Sequence, residues 1–271
     1  VNGADAGPRD LIYMRRMAQD KGWDVTITDV TEKFTTTGIW GPNARENLKK
    51  VVTAPEELDI ENFPFAAIRQ ISIAGKTVTA FRISYVGEQG WELHMRYEDG
   101  LAVWDALRGI GVMAVGVETY ANSRRLEKSL RLQNADLHTQ YNLIEAALAR
   151  PKVKEADFRG KAKHVEYRER DHQPAMLCTL VMTDNVDANG VARYPVGNLP
   201  VMDPDTGKTL IDELGRRSYT TSIAFGPSIG KNIALAYLPW DYCQEGRKLT
   251  VSYFDEIYPV EVVGIGYKPL Y

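Results

Sequence analysis

The run Tyr85-Val86-Gly87-Glu88-Gln89-Gly90-Trp91-Glu92-Leu93 reads as the end of one strand, a glycine-bracketed turn and the start of a second strand. The second strand carries a carboxylate back beside a phenol. In Phe81 to Tyr85, period-two alternation puts Phe81, Ile83 and Tyr85 on one face. In Trp91 to Tyr97 the apolar set is Trp91, Leu93, Met95 and Tyr97, so Glu92, His94 and Arg96 share the other face. Gly87 and Gly90 open positive φ to the connection and leave space against its backbone, while Glu88 belongs to the turn. Two readings stand at this point. One is a hairpin followed by a solvated acid. The other is a carboxylate that accepts paired N–H donors from a planar heterocycle, a charge-assisted arrangement with geometric specificity.

Outward from this stretch, helix and strand alternate up to about residue 165. Pro8-Arg9-Asp10 opens a helix through Met17, with Pro8 in its first turn. Val25 to Thr28 alternates as a strand, with Asp29 at its end, and Phe34 to Trp40 forms another. Gly41-Pro42-Asn43 turns into a short helix, Ala44 to Val51. A hairpin follows, Ala66 to Ile73 with Thr77 to Ser84, joined at Gly75-Lys76. Leu101 to Leu107, Val117 to Leu130 and Ile144 to Leu148 read as helices, and Asp157 to Lys161 as the lead-in to one more. Read alone, Ser123 to Arg131 is a solvated helix face on which Glu127 pairs with Arg131 four residues on.

The character changes near residue 165. The polar run Glu166 to Pro174 reads as a linker or long turn. Beyond it lie strand patterns at Ala175 to Met182, Ser218 to Ala224, Asn232 to Leu238, Leu249 to Tyr253 and Val260 to Gly264, punctuated by Gly, Pro and Asp. That spacing indicates an all-β barrel or sandwich.

Bulk properties bound what the chain can do. Its 271 residues suit about two domains. A composition of 44% hydrophobic and 25% charged residues is that of an ordinary globular protein. A formal charge of −3 gives no electrostatic reason to propose nucleic acid or an anionic membrane as partner. The expectation is a cytoplasmic protein, or one of the mitochondrial matrix, with no membrane span. Cys178 and Cys243 form no CxxC pair and read as core thiols, and the four scattered histidines match no metal template. Two phosphate-loop look-alikes fail on spacing. Gly226-Pro227-Ser228-Ile229-Gly230-Lys231 is one residue short of a Walker loop and reads as a turn, and Gly264-Ile265-Gly266 lacks a third glycine and a following helix. No flavin or nicotinamide motif occurs.

Tyr85 to Glu92 resembles the Tyr-x-Gly-Glu-x-Gly-aromatic-Glu motif of the glycine-cleavage T-protein family, the tetrahydrofolate-dependent aminomethyltransferases. Further segments are similar in the same order: Gly38 to Arg45, Arg125-Leu126-Glu127-Lys128, Ile144 to Leu148, Asp157 to Lys161, Thr220-Thr221-Ser222, and Gly226 to Tyr237. Within the family, the Arg125 to Lys128 segment and Trp40-Gly41-Pro42 resemble the C-terminal folate domain of dimethylglycine and sarcosine dehydrogenases. The resemblance implies an α+β folate-binding domain over residues 1–165, incomplete at its N-terminus, then a C-terminal β-barrel or jelly-roll-like domain over 174–271.

The resemblance also implies a function: transfer of a one-carbon unit to tetrahydrofolate from a methylated amine or its oxidised iminium or formaldehyde equivalent. Glu92 would hold the pterin's amino and ring N–H edge. Tyr85 would line the pocket, and Arg125 would neutralise an anionic part of the folate or orient the pocket. The partners implied are folate, a small methylated substrate, and a flavin domain or a preceding segment of chain. The family's catalytic aspartate falls upstream of the segment matching Val1-Asn2-Gly3, and Asp29 does not replace it. Ser129 and Ala147 stand where the family has glycine, which predicts altered local packing. Two alternatives remain: a non-oxidative folate-dependent demethylase acting on a betaine, sulfonium or aryl methyl ether, and a non-catalytic folate-fold partner subunit.

Overall fold

A computed structural model describes residues 6–271. The chain forms two compact units. One comprises the residues up to Ser84 together with Glu88–Ala114; the other comprises Tyr85–Gly87 and Val115–Tyr271.

The first unit is built on an antiparallel sheet. Its strands are β1 (Phe34–Trp40), β2 (Ile68–Ile73), β3 (Lys76–Phe81) and β4 (Gly90–Arg96), in the order β1-β4-β3-β2. The sheet buries one face and leaves the other polar, the usual arrangement for an antiparallel sheet covered on one side. Trp91, Leu93 and Met95 of β4 are buried with Ile71, Ile73, Val78 and Ala80. Leu48 of α2 (Ala44–Lys49) and Val103 and Leu107 of α3 (Gly100–Gly109) close over them. Gly38 and Gly90 permit close approaches here. A Cβ on Gly90 would meet the backbone oxygen of Ile39 at 2.0 Å, and one on Gly38 would run into the Trp40 ring.

The second unit carries the barrel. Strands β5 (Ala175–Met182), β6 (Val201–Met202), β7 (Thr220–Gly226), β8 (Lys231–Pro239), β9 (Lys248–Tyr253) and β10 (Glu256–Ile265) run in the order β6-β9-β10-β5-β8-β7. The two end strands are tied to each other. Pro200 bridges Tyr219, the Val201 N–H donates to the Ser218 carbonyl at 3.0 Å, and the Thr220 N–H donates to that of Leu199 at 2.8 Å. That tie closes the sheet and removes its open edges. Inside lie Cys178, Leu180, Val201, Val251, Val260 and Val262. Leu177, Ile233, Leu235 and Tyr237 point the other way, into a second cluster with Leu126 and Ala146. Burial on both faces explains why β5 is apolar almost throughout.

Most expected elements are present, and the departures have local reasons. α1 runs Gly7–Asp20, with Pro8 in its first turn as expected. The expected strand at Val25 to Thr28 is irregular backbone, because among the described residues β1 pairs only with β4 and no strand lies alongside residues 25–28. β3 ends at Phe81, so Tyr85 shares no strand face with Phe81 and Ile83. Ile144 to Leu148 is a turn rather than a helix, with Ala147 at φ 52°. Val117 to Leu130 is not one helix either: residues Thr119–Arg124 form a π-helical turn, α4 (Arg125–Glu127) follows, and Ser129 at φ 57° ends it. The run 166–174 is only partly linker, because α5 (Lys161–Arg168) extends into it. By contacts, residues 115–165 join the barrel-bearing unit.

Candidate functional site

Glu92 lies mid-strand on the polar face of β4, opposite Gly38 on β1 and Phe81 on β3. Strand alternation puts it beside His94, as expected from the sequence. Its carboxylate is 3.3 Å from the His94 Nε2, within ion-pair reach but outside hydrogen-bond alignment. The imidazole is held from its other side. The Thr36 hydroxyl is 2.9 Å from Nδ1, and the Phe81 ring packs at 4.4 Å. Glu92 retains 18% of its side-chain exposure, so it is shielded but reachable.

Arg125 has the opposite surroundings. The π-helical turn before it widens the backbone, a feature frequent at functional sites. The three residues that follow, Arg125, Leu126 and Glu127, are all fully buried. The guanidinium donates to the Ala121 carbonyl (2.8 Å), the Leu130 carbonyl (3.0 Å), the Asp136 carboxylate (2.6 Å) and the Ser222 hydroxyl (2.5 Å). Asp136 is equally buried, and it also accepts from the Leu132 N–H at 2.8 Å and from the Thr221 hydroxyl. The expected solvated face is therefore a buried network. Glu127 pairs with Arg124 at 2.6 Å instead of Arg131, because the helix has ended before residue 131. Its carboxylate also accepts the Ser228 N–H at 2.6 Å and so fixes the β7–β8 turn. That turn is the one read at Gly226 to Lys231.

Tyr85 joins this region. Its hydroxyl donates to the Arg131 carbonyl at 2.8 Å, one residue beyond the carbonyl that Arg125 holds. Its ring packs on Tyr120 of the π-helical turn at 5.5 Å. Burial pushes its phenol up to about 12, so it stays neutral and donating across the physiological range. The glycine after it is required: Gly87 has φ 71°, and a Cβ there would strike the Lys128 side chain.

The structure thus brings Tyr85 and Arg125 into one framework, while Glu92 stands on a sheet in the other unit. Asp29 is exposed, and it accepts the Thr31 N–H and hydroxyl, which hold its carboxyl below the usual range. Three partners escaped the sequence reading. Asp136 sits in an unremarkable Asn134-Ala135-Asp136 run, and only the fold delivers it to Arg125. Arg216 pairs with Asp212 and Glu145 and lies over the Tyr141 ring, which stacks on Tyr237 at 3.6 Å. His138 lines an open polar cleft of about 380 Å³ with Asn134, Thr139, Asn198 and Tyr219. Burial holds its imidazole below the usual histidine range, and its Nε2 lies 3.2 Å from the Tyr219 hydroxyl. For Arg125, Asp136 and Arg216 alike, pairing is set by tertiary register, which leaves no local pattern.

Comparisons with known proteins agree along the chain. Residues 1–152 match the GCVT N-terminal domain, and residues 196–268 match the glycine cleavage T-protein C-terminal barrel domain. Human mitochondrial dimethylglycine dehydrogenase is 31% identical over 269 residues, which covers 97% of this chain and 29% of that protein. An aminomethyltransferase of Exiguobacterium sibiricum is 31% identical over 243 residues, 86% of this chain and 61% of that protein. The chain thus spans less than a third of the dehydrogenase and under two thirds of that transferase. The fold is shared with the crystal structure of glycine cleavage system aminomethyltransferase T from Bartonella henselae, at a TM-score of 0.76 and 20% identity over 98% of this chain and 67% of that one. This chain belongs to the glycine cleavage T-protein family, a family of folate-dependent proteins.

Proposed function

We propose that this chain binds tetrahydrofolate and serves as the folate-binding part of a demethylating enzyme. The one-carbon unit would come from a methylated amine or from the iminium or formaldehyde equivalent made by its oxidation. Glu92 carries the proposal. It is the acid of the family motif, it is shielded without being closed off, and its near neighbour is an imidazole rather than a guanidinium or ammonium group. A carboxylate in that state keeps acceptor capacity for paired N–H donors, which is the chemistry of a pterin's amino and ring edge. Bound reduced folate supplies the nucleophilic nitrogen that takes up the one-carbon unit.

The chain's own residues bind and orient. Glu92 accepts the N–H pair and sets the plane of the ring. Tyr85 acts as a positioning residue, since its hydroxyl stays protonated and is held by the Arg131 carbonyl. Arg125 acts as a positioning residue, since its charge is balanced by Asp136 and its donors are engaged by protein atoms. Titration calorimetry with tetrahydrofolate tests the assignment. Glu92→Ala should weaken binding by about 1.5 to 3 kcal/mol, roughly 10- to 150-fold, for loss of a hydrogen bond to a charged group. Unchanged affinity would remove Glu92 from the site.

A further inference from the structure

Cys178 and Cys243 are 65 residues apart in the chain, yet their sulfurs approach to 3.8 Å at the barrel core. The sequence reading of two separate core thiols misses this pairing. Cys178 is fully buried in the middle of β5, opposite Ala236 on β8 and Ile265 on β10. Cys243 is half-buried and follows the short turn Trp240–Tyr242 beyond β8. The pair is a dithiol, because a disulfide would hold the sulfurs at about 2.05 Å. Closing the remaining distance requires roughly 1.7 Å of movement. Cys178 is fixed by strand pairing on both sides, so the movement falls on the irregular β8–β9 connection that carries Cys243.

We propose that Cys178 and Cys243 form a reversible intramolecular disulfide when the protein meets a peroxide, which staples β5 to the β8–β9 connection. The partial exposure of Cys243 makes it the thiol that reacts first, and the enclosed Cys178 resolves it. A hydrogen bond from the Cys178 S–H supports that order, since it holds the Cys243 thiol down while pushing Cys178 up. In the first step the Cys243 sulfur attacks one peroxide oxygen. The O–O bond breaks, Cys243 becomes a sulfenic acid, and the departing hydroxide takes the thiol proton to leave as water. In the second, the Cys178 sulfur attacks the Cys243 sulfur, the S–O bond breaks, and the hydroxyl leaves as a second water with the Cys178 proton. Two thiols lose two electrons and one peroxide gains them.

The experiment is treatment of the folded chain with stoichiometric hydrogen peroxide, followed by intact mass, thiol titration under denaturing conditions and peptide mapping. The expected result is loss of two hydrogens and of both thiols, a crosslinked peptide joining residues 178 and 243, and full reversal by dithiothreitol. Because the loop closed by the bond is long, the melting temperature should rise on the order of 5–10 °C. Cys243→Ser should retain its remaining thiol, and Cys178→Ala should accumulate sulfenic acid at residue 243 that a dimedone probe traps. Peptide mapping of the unsubstituted protein decides the matter even if Cys178→Ala does not fold. Retention of both thiols, oxidation that stops at Cys243 sulfenic acid in the unsubstituted chain, or a crosslink only between molecules would overturn the proposal.

Discussion

The polar face of the β1-β4-β3-β2 sheet and the segment around α4 each present a charge from the family's motifs, and the two charges are kept in different ways. Glu92 sits among a few polar neighbours, retains some exposure, and is approached at ion-pair distance by an imidazole. Arg125 has no exposure at all and is bonded to Asp136, Ser222 and two backbone carbonyls. A buried charge must be paired within the protein, because its desolvation outweighs what an isolated contact returns. A shielded but incompletely paired charge can be satisfied by something that arrives. The difference separates a frame from a contact, although motif reading treats both as ligand residues.

The strongest way to break the comparison is at Asp136. Asp136→Ala should leave the Arg125 guanidinium buried without its counter-ion and cost about 3–5 kcal/mol, read as a lowered denaturant midpoint. A change under about 1 kcal/mol would mean that the buried network does not hold this framework together. Next comes Tyr85→Phe, which leaves the Arg131 carbonyl without its donor and should cost about 1 kcal/mol in the same measurement. The pH dependence has a definite sign. The Tyr85 phenol is raised from 10.0 to about 12, so its contribution is complete below pH 10 and is lost as pH rises towards 12. Spectrophotometric tyrosine titration should show a late-titrating ring that disappears in Tyr85→Phe.

Smaller effects sharpen the contrast. Ala147 adopts φ 52° at a position where the sequence resemblance predicts glycine, so Ala147→Gly should relieve left-handed strain. Glycine's greater freedom in the unfolded chain offsets part of that gain, which leaves a stabilisation of about 0.5 kcal/mol in thermal unfolding. Glu92→Gln should shift stability least, within about 0.5 kcal/mol, because a thinly partnered and reachable carboxylate contributes little to folding. A loss above 2 kcal/mol there would place Glu92 with Arg125 as a framework group.

Much of the architecture was legible because it rests on local pattern. Phe34–Trp40 and Ala175–Met182 follow from β-branched and apolar runs with turn residues at their ends, and both strands stand where the pattern put them. The buried set Trp91, Leu93 and Met95 follows from period two alone. Tyr97 breaks that set because the strand stops at Arg96 and its ring emerges into solvent. Val25 to Thr28 has the right alternation and forms no strand, since a strand needs a partner and the sequence names none. Ser129 and Ala147 show a subtler limit. The resemblance predicts glycine at both positions, and both residues take up the left-handed backbone that glycine adopts easily.

What the sequence determined by itself was the α+β order, the barrel strands and the acid on the polar face of β4, since each is written in periodicity, turn residues or an ordered set of motifs. What only the tertiary structure decided was pairing. It closed β6 onto β7, carried Asp136 to Arg125 and brought Cys178 within reach of Cys243. Burial and partnership depend on residues far apart in the chain. Long-range packing alone sets which charge is enclosed and which is left open.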